Sequence, residues 1–330
     1  MQYSFNKFVS VLLVFSWMLV SCTNSRTRFY DSSIEDDTLQ IKVERFDNDI
    51  FSLDTASLSA RYGDFFKLYV HNILNLKGVN ELPRFTTDSG IVQLHSDVER
   101  VYPVNGGESV IERRLSVAFR YYHHYFPDME IPHVLFHISG FNQAMVVTDN
   151  VLSASVEQYL GADYEPYQYI AYGYEIPFMT PAQLPVDMMY AWLSASFTET
   201  LSGEQLLDFM IYQGKLLYLQ KVFFPDEREC VLLGYTEQQY EWCGRFEKEV
   251  WTHIMESREL FSTDWKVYTK YMSPAPFTSG LSQDSPGRTG AYIGLQIVKN
   301  YMSRNQSVTL QDLMKPSDSR KLLQDAAYRP

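Results

Sequence analysis

The chain has few groups of the kinds that name a function. Three cysteines in 330 residues exclude a disulfide-built scaffold and a multi-cysteine zinc module. Basic residues number 28 against 40 acidic ones, a net charge of −12, with no run of Lys or Arg. That balance repels a phosphate backbone and excludes nucleic acid as a partner. After the first 20 residues no long apolar run remains, so nothing further along is built to span a bilayer. The catalytic signatures are missing too. There is no His-Glu-x-x-His, no Gly-x-Ser-x-Gly, no P-loop and no dinucleotide fingerprint. His133 and His137 fall on one side of a predicted strand, about 13 Å apart at ~3.3 Å per residue, too far to share a metal. The sequence therefore points away from an enzyme and implies no cofactor, catalytic residue or metal ligand.

What is present begins with an address. Residues 8–20 form an apolar run behind Lys7, the length of a signal peptide rather than of a span. The run ends in Leu19-Val20-Ser21-Cys22, which resembles the lipobox of bacterial lipoproteins. That resemblance implies cleavage after Ser21, lipid (palmitate among the acyl chains) on Cys22, and a membrane partner reached through it. Thr23 follows in place of the Asp that marks inner-membrane retention, which favours the outer membrane, facing the periplasm. Residues 23–39 are polar and read as a flexible tether. Residues 40–330 are expected to form a single globular domain. Its 24 Tyr and 21 Phe supply ample core material. Cys230 and Cys243, thirteen residues apart, are open to a bridge or to burial as free thiols.

The pattern predicts an α+β fold, mostly helical, with a small antiparallel sheet packed on a helical body. Residues 39–46 alternate as a strand, and an apolar run at 133–138 and a hairpin over 144–156 supply the others. Helical spacing marks parts of 51–76, then 90–101 and 109–126, and a helix from Leu184. Ser202 is the expected cap of the next helix, with Gln205 at the capping-box position, and Thr236 of one running to Glu256. A further helix covers about 265–271. The most informative stretch is 285–302. Ser285 suits an N-cap and Pro286 the first helical position, and from Gly290 to Val298 only Gln296 is polar. A helix apolar all round is a buried one. Gly290 and Gly294, four apart, imply close approach of another backbone. Ser285 and Arg288 are the candidate anion or partner site.

Several motifs occur in combination: Val43-Glu44-Arg45-Phe46-Asp47, Leu160-Gly161 with Tyr164, Gly214-Lys215-Leu216-Leu217-Tyr218, Gly234-Tyr235-Thr236 and Trp242-Cys243. Ser262-Thr263-Asp264, Pro274-Ala275-Pro276-Phe277 and Ser285-Pro286-Gly287-Arg288 follow. With the lipobox, they resemble the gliding-motility lipoprotein GldB family of Bacteroidetes from about residue 40 to 302. The resemblance implies an envelope lipoprotein serving gliding and type IX secretion through unidentified envelope protein partners, with no enzymatic activity attached. The element order is also similar to zincin-like peptidases, in which the helix from Leu184 would carry the metal ligands; here it holds no His. The alternative is an envelope hydrolase, acting on peptides or glycans through an unrecognised site.

Overall fold

The computed structural model describes residues 26–104 and 109–330. Cys22 and its lipobox lie outside the described residues. The α+β, mostly helical reading holds. Four short strands, β1 (Val43–Glu44), β2 (His133–His137), β3 (Met145–Val147) and β4 (Val151–Ser155), are ordered β1-β2-β4-β3. The helices of eight residues or more are α1 (Thr55–Leu68), α2 (Ser89–Val101), α3 (Val110–Tyr125), α4 (Leu184–Ser196), α5 (Leu206–Phe223), α6 (Glu237–Arg245), α7 (Glu247–Glu256), α8 (Trp265–Met272), α9 (Thr289–Arg304) and α10 (Ser319–Ala326).

The sheet is mixed rather than antiparallel. Only the β3–β4 hairpin is antiparallel; β1 with β2, and β2 with β4, run parallel. The cause lies in what covers the sheet. Val134, Phe136, Leu152 and Ala154 face the main helical core, while Leu135 and Val146 face a second one made by Phe46, Leu58, Phe65 and Tyr69. Strands buried on both faces suit parallel pairing, and the helical crossover from β1 to β2 supplies the cover.

The expected buried helix exists as α9, and it meets α5 through glycine. A Cβ on Gly294 would fall on the Met210 carbonyl, and one on Gly214 on the carbonyl of Gly294. Gly290 faces a different helix: its Cβ would lie 3.0 Å from the Tyr271 carbonyl of α8. Both glycines thus serve close approach, to two partners.

Other expectations need correction. The α9 helix starts at Thr289, with Arg288 as its N-cap at φ +57°. Ser285 does not cap it. Its hydroxyl donates to Ser282 O (2.6 Å) and accepts from Thr278 N–H (3.2 Å), because the chain here is held as a loop. Gly287 packs so tightly on Ala275 that a Cβ would sit 2.6 Å from its N and O. Gln205, not Ser202, caps α5: its N–H donates to Asp208 (2.9 Å), while Ser202 donates to Ser317 O (2.6 Å). The helix from Thr236 breaks at Phe246 into α6 and α7. Cys230 and Cys243 are buried free thiols, and burial pushes the Cys243 thiol up to about 12.

The stretch expected as a tether is seated on the body from Arg26 onward, where the Arg26 guanidinium pairs with Asp226 (2.7 Å). The Arg28 guanidinium donates to Met302 O (2.5 Å) and Val308 O (2.6 Å) at the end of α9, and Tyr125 OH donates to Phe29 O (2.6 Å). Ile34 is buried in the main core. The tail, unread in sequence, adds α10, and Tyr328 OH donates to Glu247 (2.8 Å).

Candidate binding cleft

A cavity of about 540 Å³ opens where α4 and α9 begin. That volume is in the range of small-ligand sites. Pro185 sits in the first turn of α4, where its missing N–H costs nothing, and the helix otherwise shows one charge, Asp187. Gln183 and Asp187 are four apart and share a face. Gln183 Nε2 donates to Asp187 Oδ1 (2.8 Å) and to Val231 O (3.2 Å); Tyr159 OH donates to Asp187 Oδ2 (3.0 Å). Burial pushes the Asp187 carboxyl above the usual carboxylate range, with those two hydrogen bonds and the Arg288 charge pulling the other way.

Opposite stands Arg288. Its Nη1 donates to Leu233 O (3.2 Å), and no carboxylate pairs with it among the described residues. The left-handed Gly234 (φ +66°) ends the short helix Glu229–Leu233 and turns Tyr235 into the wall, where its hydroxyl donates to Gly287 O (2.7 Å). The other wall is the turn after β2. Glu157 accepts from Ser139 N–H (2.7 Å) and Phe141 N–H (3.1 Å), holding Phe141 at φ +66°. Phe141 and Arg288 are two of the five non-glycine residues with positive φ among the described residues, and both line the cavity. Strained backbone of this kind persists where surrounding structure fixes it, often at functional sites. At the rim, Tyr169, Ile170 and Tyr172 are exposed, and the Tyr172 and Tyr174 rings stack at 5.4 Å.

Of the sequence candidates, Arg288 lines the cleft and Ser285 does not; Ser285 is buried in the loop beneath it. Three of the motifs converge here: Gly234-Tyr235, Pro274-Ala275 and Pro286-Gly287-Arg288. The sequence reading missed Tyr159, Gln183 and Asp187. The available signal was the lone carboxylate in an otherwise apolar helix. The histidines lie elsewhere. His133 faces Glu44 (3.6 Å) at the surface, and His137 is buried on Ser153 (2.7 Å), where burial lowers it to about 3. Among the described residues no group of three or more His, Cys, Asp or Glu is placed to hold a metal ion.

The fold and cleft define a mostly helical α+β protein with a built polar and aromatic recess. The family model for gliding motility protein GldB matches residues 29–330, and the chain belongs to that family. Membership brings a gliding-motility-related role and association with the cell envelope, and the match takes in Phe29 and the tail beyond Ser303. No curated protein and no solved structure matches the chain. Among the described residues no helix is long and apolar enough to cross a membrane.

Proposed function

We propose that the protein is a lipid-anchored component of the gliding machinery, held at Cys22 in the outer membrane facing the periplasm, that works by binding protein partners rather than by catalysis. The exposed tyrosines beside the cleft carry this reading, and its floor is already engaged within itself. Both Asp187 oxygens already accept hydrogen bonds, from Gln183 and Tyr159. The groups sit as a preformed receptor floor, with no nucleophile beside a base. The exposed Tyr169 and Tyr172 are of the type that anchors protein contacts.

One observation favours the hydrolase reading: a carboxyl raised by burial inside a cleft is the condition for a general acid. Complementation in a gliding relative separates the two. Tyr169→Ser with Tyr172→Ser should abolish gliding and co-purification of envelope partners, while Asp187→Asn keeps the partners. The purified protein should carry no stoichiometric zinc and show no chelator-sensitive proteolysis. Turnover of casein or cell-wall glycan that disappears in Asp187→Asn would overturn the binding reading.

A further inference from the structure

Part of what a peptide backbone would read in the cleft is already taken. A peptide laid in extended form needs free main-chain donors and acceptors. Four main-chain acceptors along the wall are already occupied: Ala144 O by Ser155 N–H (2.9 Å), Tyr159 O by Tyr102 OH (2.6 Å), Met179 O by Gly161 N–H (3.0 Å) and Gly287 O by Tyr235 OH (2.7 Å). Planar polar side chains remain open beside them. Gln158 makes no side-chain hydrogen bond among the described residues. Gln239 uses its Oε1 on Thr236 N–H (2.9 Å), leaving its Nε2 donors. Glu175 is half-buried and holds only Tyr172 N–H (3.3 Å). Between these groups stand aromatic walls, with Tyr174, Phe178 and Tyr235 among the lining.

Amide and carboxylate planes between aromatic faces match a ligand with many hydroxyls and apolar C–H faces, which is the description of a sugar ring. Arg288 adds a sign. Its guanidinium carries five N–H donors and spends one of them on Leu233 O, in a chain with 40 acidic residues. A half-buried Arg without a carboxylate partner is a seat for an anionic group.

We infer that the cleft is a binding site for an acidic saccharide, with Arg288 on the sugar's carboxylate, Gln158 and Gln239 on its hydroxyls, and Tyr174 against a ring face. Two sources share that chemistry: a cell-wall glycan, whose muramic acid bears a lactyl carboxylate, and a uronic-acid polysaccharide. The site does not depend on the protein partners proposed above, which are read by co-purification.

The test is calorimetric titration of the detergent-solubilised protein with N-acetylglucosaminyl-N-acetylmuramic acid, a trigalacturonate, neutral chitobiose and cellotriose, and tetra-alanine. One acidic sugar should bind, about tenfold or more tighter than its neutral counterpart, and which one binds names the source. Arg288→Gln should bring the acidic sugar down to the neutral level, and Arg288→Lys should recover part of the loss. Tyr174→Ala should weaken acidic and neutral sugars alike. A thermal melt matching the parent shows that each variant is folded, and Gln158→Ala, away from the strained Arg288 backbone, gives a second reading if Arg288→Gln does not fold. Binding of neither acidic sugar, equal binding of neutral ones, preference for tetra-alanine, or binding untouched by the folded variants would each overturn the assignment.

Discussion

Asp187 shows how one side chain can couple the cleft to stability. It sits in the first turn of α4, where a negative charge is favoured, yet burial outweighs that and raises its carboxyl. The folded chain therefore holds this proton to higher pH than the unfolded chain does. The stability this group contributes is complete below the ordinary carboxylate value and is lost as pH climbs through the folded value. Asp187→Asn removes that dependence. Thermal melts at steps from pH 4 to 8 should show the parent losing stability relative to the variant as pH rises; a constant gap, or one that moves the other way, would show the carboxyl to be solvated. Asp47 and Glu157, whose carboxyls burial also raises, are common to both chains and cancel in the comparison.

The α5–α9 crossing is the element on which the body turns. Because Gly294 and Gly214 leave no space between the two backbones, Gly294→Ala should cost roughly 1–3 kcal/mol or more by overpacking. Gly78→Ala is the control. Its φ of −176° suits any residue and a Cβ there meets nothing within 4 Å, so the change should stay within about ±0.5 kcal/mol. Urea unfolding of the three chains measures both; equal midpoints would mean that the helices do not meet at these glycines. The glycine spacing, the apolar α9 and the capping of α6 by Thr236 were all legible, because each is a local pattern. The parallel strand pairs were not, since β1 and β2 are joined only through a long crossover that contains α1, α2 and α3. Nor was the true start of α9. Ser285-Pro286 has the chemistry of a helix start, but Gly287 is pinned to Ala275, a contact that no local pattern reveals. The cleft was half legible for the same reason: Arg288 stood out by its motif, whereas Asp187 gains meaning only when Tyr159 and Gln183 reach it.

At the scale of the whole molecule, the proposed lipidation of Cys22 would decide where the body sits. Cys22→Ala should leave uncleaved precursor and abolish labelling by a fatty-acid analogue; labelling that persists would remove the anchor from Cys22. The seat of Arg28 on the end of α9 then has a geometric consequence. Six residues separate Cys22 from Arg28, and an extended chain covers at most about 3.5 Å per residue, so the reach is roughly 20 Å. A body with that reach cannot swing freely below a bilayer. On the proposed anchor it would stand against the lipid with the carboxyl end of α9 near it, its heading held by the four acceptors of the Arg28 guanidinium, Met302 O, Asn305 O, Val308 O and Gln306 Oε1, and by the Arg26–Asp226 pair. Arg26→Ala with Arg28→Ala, the lipid retained, should release the chain ahead of Phe29, which Tyr125 still holds, and turn a moored particle into a drifting one. Distances from the membrane surface to Tyr169, measured by fluorescence quenching, should then broaden from a single value to a wide distribution.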